Sequence, residues 1–391
     1  MSAAAAAAIQ AEIARRGPIP FADFMALALG HPDAGYYAGP DARPTRGGDF
    51  LTAPELHPVF GAVVARQVAE AWERLGRPDP FTLLEYGAGA GTLALAILAG
   101  LRADGSGLVE ALVYAPVELN AHRRAELGER AAAAGLALLD PARLDEAPRP
   151  GMALANEFLD ALPVHLLEVR DGAPREVLVA AGDGDGFVEV LAAPGTPLDP
   201  GLGARLQALG AAGVELVEGQ RLEIGLALEP WAREVGRRLA AGLVLVVDYG
   251  APGTALYGPR RRAGTLVTYR GHVADGSVEA PYRDVGERDI TAHVDTTALG
   301  DALAAAGFEL LGETSQAELL AGCGLEDVLR REIGRAADAA QALELRSAVM
   351  RLLDPRHLGG FRAVLAGKGL AAGPPLRGLA FRMPRRRGAA P

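Results

Sequence analysis

Short unbroken apolar runs, the mark of strands buried on both faces, occur in FTLLEY at 81–86, LVYAPVEL at 112–119, MALA at 152–155 and GLVLVVD at 242–248. Helix-period patterns lie between them: about 58–75, 93–101, a charged stretch through 134, and 228–240. Strand, helix, strand, helix, strand in succession calls for a parallel sheet with right-handed crossovers, hence an α/β fold. From 166 to about 198 the rhythm changes to short β runs with Gly and Asp turns, which predicts a hairpin insertion and no further crossover. Residues 260–295 are loop-rich, 296–306 resume a helical pattern, and a final helix pair precedes the strand candidate FRAVLAGKG at 361–369. Residues 1–80 read as a helical extension that opens on the amphipathic MSAAAAAAIQAEIARR. The expected organisation is therefore this extension, a core over 81–370 with insertions at about 166–225 and 251–295, and a basic, disordered tail at 371–391.

Composition narrows the picture. A chain of 391 residues can bury a sizeable core, and with 50% apolar but only 5% aromatic residues that core is built of alanine and leucine. The net charge of −10 argues against sequence-independent nucleic-acid binding, which needs clustered Lys and Arg. One cysteine, Cys323, excludes an internal disulfide or a cysteine metal cluster. No basic residue precedes the N-terminal alanine run, and no apolar run reaches the roughly eighteen residues that span a membrane, so a soluble cytoplasmic protein is expected.

Ligands of open α/β sheets bind beyond the carboxyl ends of the strands, and four such ends carry polar groups. The first is FTLLEYGAGAGT, where Glu85 leads into Gly87, Gly89 and Gly91 before a helix. A dinucleotide fingerprint needs its third glycine at the position held by Thr92, and a pyrophosphate would be repelled by Glu85. This disfavours a nicotinamide-dependent oxidoreductase. A ligand with an amino group and a sulfonium fits better, so S-adenosylmethionine is the expected cofactor. At the second end the Glu118 carboxylate suits the two hydroxyls of a ribose, or is a surface glutamate ahead of a helix. The third end holds Asn156, Glu157 and Asp160 in NEFLDALP. Carboxylates beside a methyl donor suit a nitrogen nucleophile, which they can align and relieve of its proton; Asn156 equally suits a helix N-cap. Asp248 and Tyr249 form the fourth end, as a pocket wall or a strand cap. No metal-ligand spacing surrounds His165 or His293, and neither a GxSxG elbow nor a lysine phosphate loop is present.

With these segments assembled, the chain resembles the MidA-like family. The resemblance runs through GYY at 35–37, GDFLTAPEL at 48–56, LLEYGAGAGTL at 83–93, ANEFLDALPVH at 155–165, VVDYG at 246–250, DVGERDITAHVD at 284–295 and KG at 368–369. It implies a class I, Rossmann-like methyltransferase fold, S-adenosylmethionine as donor, and an arginine of a protein, a respiratory complex I subunit among the candidates, as acceptor. It matches Gly87, Gly89 and Gly91 to the donor loop, Glu118 to the ribose carboxylate and Asn156 with Glu157 to the strand-end motif. With them, the residues themselves place Glu85 at the donor and make Asn156, Glu157 and Asp160 the catalytic candidates, Glu157 pairing with the acceptor and Asp160 in support. Asp49, Phe50, Thr52, Pro54 and Glu55 match an N-terminal signature expected to fold over the donor site. The family's usual ELGPGRGT loop is altered here: Tyr86, Ala88 and Ala90 replace its Leu, Pro and Arg. That alteration leaves a second reading, an assembly factor that keeps the donor site without transferring a methyl group.

Overall fold

The computed structural model describes residues 3–38, 52–184 and 186–383; Asp49, Phe50 and the arginines at 385–387 lie outside them. Seven strands form the central sheet: β1 (Phe81–Tyr86), β2 (Leu112–Val117), β3 (Ala137–Leu138), β4 (Arg149–Asn156), β5 (Leu239–Asp248), β6 (Glu309–Ser315) and β7 (Arg362–Lys368). Their order is β6-β7-β5-β4-β1-β2-β3. The pairs from β3 to β5 are parallel, and β7 runs antiparallel to both β5 and β6. The chain steps outward from β1 to β2 on one side and crosses to β4 on the other, so the strand order reverses at β1. Such a reversal opens a crevice at the carboxyl ends.

The helices follow from where apolar side chains are needed. They are α1 (Ala3–Arg16), α2 (Phe21–Gly30), α3 (Val59–Arg74), α4 (Thr92–Ala103), α5 (Ala121–Ala133), α6 (Leu228–Arg238) and α7 (Thr296–Ala305). Side chains alternate faces along a strand, so Leu83 and Met152 join the core beneath α3 and α4, whereas Leu84 and Ala153 join the core beneath α6 and α7. Both faces are covered, which is why the strands read as continuous apolar runs.

A second sheet gathers His165–Arg170, Ala173–Ala181, Phe187–Leu191 and Arg221–Ile224. Its pairings are antiparallel, as the Gly and Asp turns of the insertion predict. Ile19–Pro20 adds to its edge, and α1 and α2 pack on it through Ile9, Phe21 and Phe24. The first two helices thus belong to the insertion, whereas α3 belongs to the central core. Two elements differ from expectation. Three helices, Gln316–Gly322, Leu325–Arg335 and Ala339–Leu353, stand where a pair is predicted. Strand β6 has no counterpart in the sequence reading, because this edge strand is exposed or half-buried at nearly every position and shows no apolar run.

Candidate functional site

The carboxyl ends of β1, β2, β4 and β5 are level with one another: Tyr86 pairs with Val117 and with Ala155, and Asn156 with Val247. Every polar group singled out at a strand end is therefore delivered to one edge of the sheet. After β1 the turn passes through Gly87, Gly89 and Gly91 at φ of 67°, 53° and 76°, a region that side chains rarely adopt. The N–H groups of Gly87 and Ala88 donate to the Val117 carbonyl at 3.0 and 3.3 Å, which pins the turn across the end of β2. Arg130 of α5 donates to the Ala90 carbonyl at 2.9 Å and steadies the turn from outside.

Two carboxylates flank this turn. Glu85 is buried and accepts the Tyr114 hydroxyl at 2.6 Å; burial pushes its carboxyl up to about 8, against the opposing pull of that bond. Glu118 accepts the N–H of Gly89 at 2.7 Å through one oxygen and of Asn120 at 2.8 Å through the other. The helix cap is Asn120, whose side chain accepts from the N–H groups of His122 and Arg123. Glu118 thus braces the glycine turn and keeps lone pairs on both oxygens.

At the end of β4, Glu157 sits at φ +50°, a strained conformation for a residue with a side chain. Its Oε1 accepts the Ala53 N–H at 2.9 Å and the Asn156 side-chain amide at 3.1 Å. The first bond ties the N-terminal signature to the third strand end across 104 positions of sequence. Glu157 Oε2 has no hydrogen-bond partner among the described residues. Burial, with Asp248 nearby, pushes this carboxyl up to about 8. Asn156 caps no helix: its Oδ1 is buried without a partner, and the turn Leu159–Ala161 that follows is capped otherwise. Asp248 holds that turn by accepting the N–H groups of Phe158, Leu159 and Asp160 on one oxygen and of Tyr249 on the other.

These elements enclose a cavity of about 520 Å³. Thr52, Pro54, Glu55, Glu85, Gly87, Gly89, Glu118, Asn156 and Glu157 all line it. Two expected residues do not. A Cβ at Gly91 would lie 3.2 Å from Leu127, so this glycine serves the packing of α4 on α5. Asp160 faces a separate small chamber. Asp49 lies outside the described residues. Sequence reasoning missed Tyr37, Arg123 and Phe158, which also line the cavity. Tyr37 sits in the GYY segment and is held there by Asn120, whose amide donates to its carbonyl at 2.9 Å. An Asn directly ahead of a charged helix is an N-cap signature, and it was the available signal for Asn120.

A family model for S-adenosyl-L-methionine-dependent methyltransferases matches residues 63–314. The chain belongs to this methyltransferase family. A Drosophila melanogaster protein arginine methyltransferase NDUFAF7 homolog is 30% identical over 90% of this chain and 82% of its own length. The human protein arginine methyltransferase NDUFAF7 is 27% identical over 93% and 83%. A Burkholderia thailandensis protein crystallised with S-adenosyl-homocysteine is 33% identical, superposes with a TM-score of 0.81, and is covered over 95% of its chain and 97% of this one. The class I fold and the MidA-like resemblance therefore hold, and the methyltransferase takes S-adenosylmethionine as its donor. The cytoplasmic expectation does not stand, because the curated relatives are named mitochondrial. Among the described residues no helix is long and apolar enough to cross a membrane.

The cavity's donor set suits that cofactor. Glu118 keeps lone pairs on both oxygens that would suit ribose hydroxyls, buried Glu85 stands beside the glycine turn, and Asn156 Oδ1 is a buried acceptor that lacks a donor among the described residues.

Proposed function

We propose that this methyltransferase acts on a side-chain nitrogen of a protein, an arginine guanidinium, with Glu157 aligning the acceptor. One observation carries the reading: Glu157 is clamped through Oε1 by Ala53 and Asn156 while Oε2 is left for a ligand in the donor cavity. When bound, S-adenosylmethionine supplies an electrophilic methyl carbon. A guanidinium that gains this methyl loses one proton and keeps its positive charge. Glu157, pushed up to about 8, is matched to receive that proton near neutral pH, whereas an ordinary carboxylate is too weak a base. The names of the curated relatives, protein arginine methyltransferases at 27–30% identity, support the same acceptor.

The test is incubation of the purified enzyme and labelled S-adenosylmethionine with lysate of a strain lacking the gene, followed by identification of the labelled residue. Methylarginine in a protein is expected. Glu157→Gln should leave affinity for S-adenosyl-homocysteine unchanged and cut transfer by about 100-fold or more, the range ordinarily lost with a general base. Label found only in small molecules, or turnover preserved in the Gln variant, would overturn the reading.

A further inference from the structure

Three hollows lie in a row behind Glu157, and each shares a wall with the next. Glu157 and Tyr37 line both the donor cavity and the chamber that holds Asp160. Tyr249 and Tyr269 line both that chamber and an outer cavity of about 670 Å³. We propose that the methyl acceptor reaches the donor from the outer cavity: an arginine side chain passes between Tyr249 and Tyr269, and its guanidinium lodges between Asp160 and Glu157. This rests on the arginine reading above, and adds to it the route and a second carboxylate.

The middle chamber is lined by carboxyl groups, phenols and Thr291, and by no Lys or Arg among the described residues. Asp160 is only 6% exposed, faces this chamber, and among the described residues has no ion pair and no side-chain partner; the Ala161 N–H is the one donor to it. Burial, with Asp248, Asp289 and Glu157 close by, pushes the Asp160 carboxyl well up, so at rest it holds a proton; a planar guanidinium with five N–H donors would let it ionise while reaching Glu157 Oε2. The chamber's volume, about 20 Å³, holds roughly one water, so a guanidinium enters only as the two tyrosines part. Tyr249 is fixed, packed on Phe361 with ring centres 4.0 Å apart and stacked on His293 at 6.0 Å. Tyr269, on the short strand Val267–Arg270 of the insertion, is hydrogen-bonded to Tyr249, and an entering guanidinium takes the place of that bond. His293 at the threshold is pulled down to about 4 by burial and by Arg261, so it is neutral at pH 7 and does not repel a cation. At the outer rim Arg356 is paired with Asp354, while Arg351 is exposed and has no ion pair among the described residues, which favours an acceptor with acidic residues beside its arginine.

The experiment blocks the outer cavity and reads binding on both sides. His357 is exposed on its rim, and the native Cys323 is buried with its thiol pushed up to about 12, so His357→Cys can be labelled alone with a bulky maleimide. The probes are S-adenosyl-homocysteine and, in its presence, a short peptide with one arginine flanked by glutamates, compared with its citrulline twin. Labelling is expected to weaken arginine-peptide affinity by about tenfold or more relative to the unlabelled variant, with no change for S-adenosyl-homocysteine. Asp160→Asn should weaken the arginine peptide by a similar factor and leave the citrulline peptide unaffected. If the arginine peptide binds equally after complete labelling, the route is wrong and the arginine reading survives. If the unmodified enzyme binds S-adenosyl-homocysteine but does not favour arginine over citrulline, the acceptor reading fails and the route fails with it.

Discussion

Gly87 offers a measurement in which backbone strain and crowding can be separated. It sits at φ +67°, and a Cβ built there would meet the Phe158 ring at 3.0 Å, closer than the ring can accept without shifting. Gly76, at the end of α3, has φ +80° and nothing within 4 Å. Gly76→Ala therefore carries only the cost of the left-handed conformation, about 1–2 kcal/mol. Gly87→Ala carries that cost plus overpacking of about 1–3 kcal/mol, for roughly 2–5 kcal/mol in all. Unfolding entropy near 2.1 cal/mol/K per residue makes 1 kcal/mol worth about 1.2 °C in a chain of 391 residues. Thermal melts should then show Gly76→Ala lowered by about 1–2 °C and Gly87→Ala by about 2–6 °C. Phe158 lines the donor cavity and must yield to the new methyl, so Gly87→Ala should also weaken S-adenosyl-homocysteine by about tenfold or more in calorimetry, and Gly76→Ala not at all. If Gly87→Ala matches Gly76→Ala in both melting and affinity, the reasoning about this turn is refuted.

Other substitutions separate bracing from binding. Glu118→Gln puts an amide N–H against the backbone donor of Gly89 or Asn120 and removes the charge; with charged hydrogen bonds worth about 1.5–3 kcal/mol, S-adenosyl-homocysteine affinity should fall by roughly 10- to 100-fold. Unchanged affinity would leave Glu118 as a brace alone. Asp248→Asn cannot accept all four N–H groups that the carboxylate holds, and should cost about 2–4 kcal/mol in denaturant melts at pH 8. Glu85 keeps its proton up to about pH 8 when folded but loses it near 4.5 when unfolded, so its contribution to stability declines as pH rises through that window. Glu85→Gln removes the decline: relative to the parent, it should gain stability between pH 5 and pH 8.5, toward a limit of roughly 5 kcal/mol, and a flat difference would reject the shift.

Much of this protein was legible locally. The strand, glycine turn and helix at 81–103 follow from residue neighbours: an apolar run buried on both faces, then positions where Cβ is excluded, then alanine and leucine at helical spacing. Period and turn chemistry act over a few residues, so the sequence carries them without help from the rest of the chain. The polar groups at 85, 118, 156, 157 and 248 were recognisable for the same reason, since each ends an apolar run.

What tertiary structure decided is where side chains more than a turn apart meet. Ala53 and Glu157 are joined by a bond that no local pattern encodes. Asp160, three positions beyond Glu157, looked like its partner in one cavity; the turn held by Asp248 sends it into the next chamber. Gly91 reads as a third donor-loop glycine, yet Leu127 of α5 occupies the space beside it. Strand β6 is a strand only because β7 offers it backbone partners, and α1 and α2 lie on the insertion because its sheet exposes an apolar face to them. The sequence by itself determined which groups reach the edge of the sheet. Close packing between distant segments determined which way each one faces, because a side chain's direction depends on the volumes and hydrogen-bond donors that surround it.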